Sequence, residues 1–338
     1  SHGDLQDWLR RKGYRVWGAG KGTYLELNRT KLKETLKQVG LPVIPTKVIR
    51  GMQNLVNYLK KHKDVWIKNS FYRGDFETFH HHDYYMSKPW LDNLAHKLGP
   101  KQDTFEFIIE EGVDGVESGY DGFTIDGKFS KNCFYGYECK DAAYIGRTSN
   151  SLPKPLEYVN QKLSPVFKEL SYRGFYSNEV RLPKKKEPYV LDMTMRCGSP
   201  PSQTYMEIFS NWGEIIWYGS GGVVVEPKPT TKYGAQLMLK SGWSGDGNFL
   251  AVNIPKEYRN NVKLNNHCRM NGQDFVVPSD LGEYVGAVVG TGNTFKEAVE
   301  HTIEVADSIK GLELSYDQHA FESCEGYISN GKKVGIDW

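Results

Sequence analysis

The sequence predicts an α+β protein with a helix-rich start and β-rich later parts. Two observations predict it. Residues 28–68 run helix, strand, helix, strand by apolar periodicity, and the later chain holds short β-type segments separated by Asp-Gly, Gly-rich and Pro-bounded turns. There are no internal repeats and no low-complexity linker, and 338 residues give room for two or three packed units.

Taken in order, residues 4–13 read as a helix with Leu5, Trp8 and Leu9 on one face, and 14–18 as a short strand stopped by glycine. Residues 28–39 form a helix pattern: Asn28 can cap it, Leu32, Leu36 and Val39 make an apolar stripe, and Gly40 ends it. A strand at 46–49, a helix at 52–61 and a strand at 65–68 follow. Residues 105–111 form a strand running into a loop. Residues 116–125 and 128–137 read as a hairpin around Asp126-Gly127, and 156–172 as a helix. Segments 177–181 and 189–196 flank the polar, breaker-bounded stretch 183–188 and read as a second hairpin. Residues 203–217 make a helix closed by Gly219-Ser220-Gly221-Gly222. Strands at 231–239, 249–254 and 284–289 lead to a last helix at 294–310, with Phe295, Ala298, Val299, Thr302, Ile303, Ala306 and Ile309 on its buried face.

Composition narrows the function classes. A net charge of +2 gives no global field for nucleic acid or a membrane surface, and Lys184-Lys185-Lys186 reads as a solvated turn. No stretch approaches the length of a membrane-spanning apolar run, and the start lacks a signal pattern. Five cysteines at irregular spacing, with no CxxC pair, point to reduced thiols in a cytoplasmic protein rather than to a disulfide frame or a cysteine zinc site. The chain opens Ser1-His2-Gly3 without an initiator Met, which suggests a tag scar or a missing upstream segment.

Glu179 and Asp192 carry the most chemistry. The second hairpin brings both to one end of a sheet, and two hard oxygen donors side by side suit Mg²⁺, which takes one or two carboxylates plus phosphate oxygens and water. The plainer reading is a surface hairpin with solvated charges. Lys68, at a strand end before a polar loop, is placed to touch phosphate. In 110–117, a strand meets a short hinge with an acid seven residues on. The hinge can offer backbone groups to an adenine edge while Glu117 accepts from ribose hydroxyls, and an ordinary acidic loop is the alternative. In His80-His81-His82-Asp83, neighbouring side chains on one strand point in different directions, which weighs against a transition-metal site. Cys197 beside Arg196 reads as a small space-filling residue rather than a nucleophile.

In combination and order, a lysine helix, a strand-end lysine, a Glu-x6-Glu hinge and Glu179-x12-Asp192-x-Thr194-x-Arg196-x-Gly198 resemble the ATP-grasp superfamily from about residue 14 to 209. Within it the chain is most similar to the phosphoribosylamine–glycine ligase branch, through Arg15-Val16-Trp17-Gly18, the run from Val190 to Pro200, and Gly286-Ala287-Val288-Val289-Gly290-Thr291-Gly292. The resemblance implies two α+β subdomains clasping ATP. Residues 1–28 would be a remnant of the preceding domain, 29–222 the grasp with a mobile part at about 47–125, and 223–338 a small β-rich C-terminal domain. Lys33, Lys68 and Lys140 would contact the nucleotide, Glu110 with Glu111 and Gly112 would hold adenine, and Glu117 the ribose. Glu179, Asp192 and Thr194 would hold Mg²⁺ or Mn²⁺, while Lys68, Arg73 and Arg196 would face the transferred phosphate.

The chain departs from that pattern at Thr194, usually asparagine, at Arg29 in place of the first helix lysine, and in a phosphate loop with one glycine, Gly74, beside Arg73. The implied reaction is ATP-dependent joining of a small amino acid's carboxylate to an amine through an acyl phosphate, akin to purine biosynthesis, with a nucleotide or modified base among the possible acceptors. Two alternatives follow from the departures: a non-catalytic ATP-binding protein, and a phosphoryl transferase that stops before ligation.

Overall fold

The computed structural model describes residues 3–69, 78–139, 142–184, 187–279 and 282–338. The chain divides into two units, Tyr24–Gly115 and Ser1–Thr23 with Val116–Trp338.

In the smaller unit the short helix Tyr24–Leu27 precedes the helix Arg29–Gln38, which is capped as expected by Asn28, whose side chain accepts from the Lys31 amide at 3.0 Å. Its sheet holds β1 (Thr46–Arg50), β2 (Val65–Asn69), β3 (Thr78–His81) and β4 (Glu106–Glu111), ordered β1-β4-β2-β3 and antiparallel throughout. The helices Met52–Leu59 and Tyr84–Leu98 bury one face of it around Leu55, Leu59, Ile67, Leu91, Leu94, Phe107 and Ile109. Strand alternation therefore gives the other face Val48, Trp66, Lys68, His80, Ile108 and Glu110. β3 and the helix Tyr84–Leu98 have no counterpart in the sequence reading.

In the larger unit, among the described residues, nine strands form one sheet. They are β5 (Val116–Ile125), β6 (Cys133–Cys139), β7 (Ala143–Ser149), β8 (Arg173–Leu182), β9 (Tyr189–Thr194), β10 (Tyr233–Ser241), β12 (Val262–Leu264), β15 (Tyr284–Gly292) and β17 (Leu314–Ser315). The order is β12-β15-β10-β7-β6-β5-β8-β9, with β17 on β10. A second sheet is ordered β13-β14-β11-β16, from β11 (Leu250–Asn253), β13 (His267–Met270), β14 (Gln273–Val276) and β16 (Lys310–Gly311). Residues beyond 222 thus extend the same sheet that carries β8 and β9, besides building the second one.

The Asp126-Gly127 turn has both residues at positive φ, 49° and 78°, the conformation of a tight hairpin. Two expectations are corrected. Residues 14–18 make no strand, since only Gly18 pairs, with Arg173. The helix expected over 203–217 is two helices, Pro201–Ile208 and Trp212–Ser220. Asn211 separates them: its side chain donates to Glu226 O at 3.0 Å and accepts from the Lys228 amide at 2.9 Å, ties that need an irregular backbone. The helix Gly3–Arg11 forms near the expected span, and its Leu5 and Trp8 are 53% and 47% accessible.

Four glycines line up as cross-strand partners on β5, β6, β7 and β10: Gly119, Gly136, Gly146 and Gly234. A Cβ on Gly146 would fall 2.2 Å from the Phe134 ring, and one on Gly234 2.3 Å from Thr204 Cγ2. Their bareness lets Phe134, Tyr144, Tyr205 and helix Pro201–Ile208 lie directly on the sheet.

Candidate functional site

In the smaller unit, Lys33, Lys68 and Glu110 come together. Lys33 Nζ lies 2.5 Å from Glu110 Oε1 and Lys68 Nζ 3.3 Å from Oε2, with the carboxylate only 4% accessible. Burial pushes the Glu110 carboxyl up, but Lys68 and then Lys33 outweigh it, and the net shift is below the ordinary glutamate value. Arg29, also buried, donates to Asn69 O at 2.8 Å and so braces the end of β2. Glu110 thus holds two ammonium groups side by side in fixed geometry, and paired ammonium groups suit phosphate oxygens. Glu110 orients the two lysines through its side chain, and Glu111 and Gly112 beyond it are exposed. Arg73, with its loop residues Phe71 and Tyr72, and Lys140 lie outside the described residues. Tyr84 and Tyr85 open the helix Tyr84–Leu98, Tyr85 being 86% accessible.

In the larger unit, the register places Glu179 directly opposite Asp192 and Ser177 opposite Thr194, next to a bulge at Glu179/Val180. Paired residues share a face with Cβ atoms roughly 4.5–5.5 Å apart, and like charges so placed destabilise a bare sheet. Two carboxylates and a hydroxyl are a hard-oxygen set, so the donor chemistry fits Mg²⁺. A cavity of about 60 Å³ is lined by Glu117, Asp121, Glu138, Ser177, Glu179 and Thr194 among others, Asp192 lying outside its lining.

Glu117 forms an ion pair with Arg181, its neighbour across β5 and β8, so the carboxylate expected to meet ribose already has a cation. Arg196, just past β9, is exposed and donates to Cys197 O at 3.0 Å. Burial raises the Cys197 thiol, consistent with a space-filling role. Arg147, set beside the Tyr135 and Tyr233 rings, alternates away from Tyr144 and Gly146 and stands on the opposite face.

Sequence reasoning missed Asp121, Tyr144 and Glu138. Tyr144 donates to Asp121 Oδ2 at 2.6 Å, and burial raises the Asp121 carboxyl to about 6 despite Tyr144 and Ser177. The available signal was alternation: Glu117, Gly119 and Asp121 share one strand face, and Glu138 lies opposite Tyr144 in the β6–β7 register.

Sheets, site strands and sequence order together are those of the ATP-grasp fold. Similar solved structures include phosphoribosylamine–glycine ligase from Thermotoga maritima, with a TM-score of 0.70 at 17% identity over 89% of this chain and 80% of that one. The biotin carboxylase domain of Hydrogenobacter thermophilus 2-oxoglutarate carboxylase, solved with MgADP, has a TM-score of 0.67 at 13% identity over 100% of this chain and 80% of that one. L-amino acid ligase from Bacillus licheniformis follows at 0.58 and 15%, over 87% and 74%. No protein-family model and no curated relative matches this sequence. Among the described residues no helix is long and apolar enough to cross a membrane.

Proposed function

We propose that this chain is an ATP-dependent carboxylate–amine ligase that forms an amide and releases ADP and phosphate. The observation that carries the reading is the direct pairing of Glu179 with Asp192, beside Thr194, on neighbouring strands of an ATP-grasp sheet. A carboxylate oxygen of the acid substrate attacks the γ-phosphorus, the bond to the β-phosphate oxygen breaks, and ADP leaves. The amine nitrogen then attacks the acyl carbon, inorganic phosphate departs, and the nitrogen loses a proton. A small amino acid is the preferred acid, by likeness to the ligases above. Glu179, Asp192 and Thr194 would hold Mg²⁺, which when bound supplies neutralisation of phosphate charge. Lys33 and Lys68, oriented by Glu110, bind phosphate oxygens, and Arg196 stabilises charge on the transferred group. Phosphoryl transfer asks mainly for such positioning and charge, so no general base is required of the chain.

The test is ADP release from Mg²⁺-ATP with a panel of small amino acids and amines, Asp192→Asn serving as control. ADP that needs both substrates and vanishes in the variant supports the ligase. A second reading, a nucleotide-binding protein without turnover, draws on Thr194 in place of asparagine and on the Glu117–Arg181 pair. It predicts ATP binding with no ADP from any substrate pair.

A further inference from the structure

The histidine run at the edge of the smaller sheet sorts itself by strand alternation into one anchor and two candidate ligands. His81 points into the unit and is fully buried. Its Nδ1 lies 2.7 Å from Ser87 Oγ, and its Nε2 is 3.1 Å from Leu59 O and 3.0 Å from His62 O. That anchoring fixes the strand so that His80 and His82 both leave on the other side. There they meet Asp64, in the turn before β2. His82 Nδ1 is 3.3 Å and His80 Nε2 3.9 Å from the same Asp64 oxygen, and the three ligand atoms all lie within 4.8 Å of one another.

Three further features hold the group in place. Asp64 sits at φ 51°, a left-handed conformation that costs a non-glycine residue, and it directs the carboxylate at the histidines. The Asp64 amide donates to His82 O at 3.4 Å, which ties the two segments together. The His80 ring stacks on Trp66 with centroids 4.4 Å apart and planes 5° from parallel, which sets the imidazole's orientation.

We propose that Asp64, His80 and His82 form a binding site for a borderline transition-metal cation of the zinc class. Imidazole nitrogen with one carboxylate selects Zn²⁺, Co²⁺ or Ni²⁺ over Mg²⁺, which takes oxygen donors. Tetrahedral ligands at the usual zinc bond lengths stand about 3.4 Å from each other. The Asp64–His82 separation of 3.3 Å meets that spacing, and the Asp64–His80 separation of 3.9 Å exceeds it by about half an ångström. Three protein ligands leave a position for water. This site is separate from the Glu179–Asp192 pair in residues and in the ion it prefers.

The test is titration of the full chain with Zn²⁺ alone and with Co²⁺ alone, followed by calorimetry and by visible absorption. One equivalent should bind, with the intense d–d bands of four-coordinate cobalt, and excess Mg²⁺ should not displace it. His82→Ala changes an exposed residue and leaves the fold intact by circular dichroism. It should weaken Zn²⁺ binding by at least about tenfold, as should Asp64→Asn, because each removes one of three ligands. Asp192→Asn should bind Zn²⁺ as wild type does. Zn²⁺ should raise the melting temperature of wild type and not of His82→Ala. No bound equivalent, or binding that His82→Ala keeps and Asp192→Asn loses, would overturn the proposal.

Discussion

Glu110 in the smaller unit and Asp121 in the larger are buried to the same degree, 4% and 5% accessible, yet their surroundings push them in opposite directions. Glu110 sits between two ammonium groups and is held ionised, below its ordinary value. Asp121 faces the Tyr144 and Ser177 hydroxyls, and burial raises it to about 6. Burial alone therefore does not set charge in this protein; the charge of the neighbours does. The comparison extends to the two constellations. The lysine group sets two ammonium groups on one carboxylate, whereas β8 and β9 set two carboxylates side by side. One is suited to phosphate and the other to a cation.

The largest effect that sharpens this contrast is Asp192→Asn, which should abolish ADP formation while leaving the fold intact by circular dichroism. Next comes Glu110→Gln, which strips the counter-ion from two largely buried lysines. Losing one partner of such a buried group costs about 3–5 kcal/mol, readable by denaturant unfolding. Its pH dependence has a definite sign. Because Glu110 is lowered in the folded state, its contribution is present above the ordinary glutamate range and is lost as pH falls through the folded value. Wild type and Glu110→Gln should therefore converge in acid.

Asp121 has the opposite sign. Its stabilisation is present below about pH 4 and is lost as pH rises through about 6. Asp121→Asn should thus gain on wild type by about 3 kcal/mol between acid and neutral pH. A flat difference across that range would break the comparison. The smallest effect expected is Tyr144→Phe, about 1 kcal/mol from one hydrogen bond, measured at acid pH where Asp121 is protonated.

What could be read ahead of the structure was whatever rested on local chemistry. The stretch 183–188 fixes a hairpin length that puts Glu179 opposite Asp192, and Asn28 caps its helix by a contact three residues away. Thr294 and Glu297 form a capping box at the start of helix Phe295–Ser308, also a local pattern. The elements that escaped had weak local signals. The helix Tyr84–Leu98 carries Pro89 within it and a shallow apolar stripe. β7 reads as an unremarkable segment until β6 and β10 flank it. Asp121, Glu138 and the aligned glycines depend on register across strands far apart in sequence, which no window of residues reveals. The lysine partners of Glu110 arrive from 42 and 77 residues away, from positions 68 and 33, a contact no local window shows.

The most direct test of the ligase reading is trapping of the acyl phosphate. The protein is incubated with Mg²⁺-ATP, a pool of small amino acids and hydroxylamine, and hydroxamate is quantified alongside ADP. Equal amounts of hydroxamate and ADP, both lost in Asp192→Asn, are the predicted result. Tight ATP binding without hydroxamate or ADP would contradict catalysis, and ADP with a stable phosphorylated product would contradict ligation.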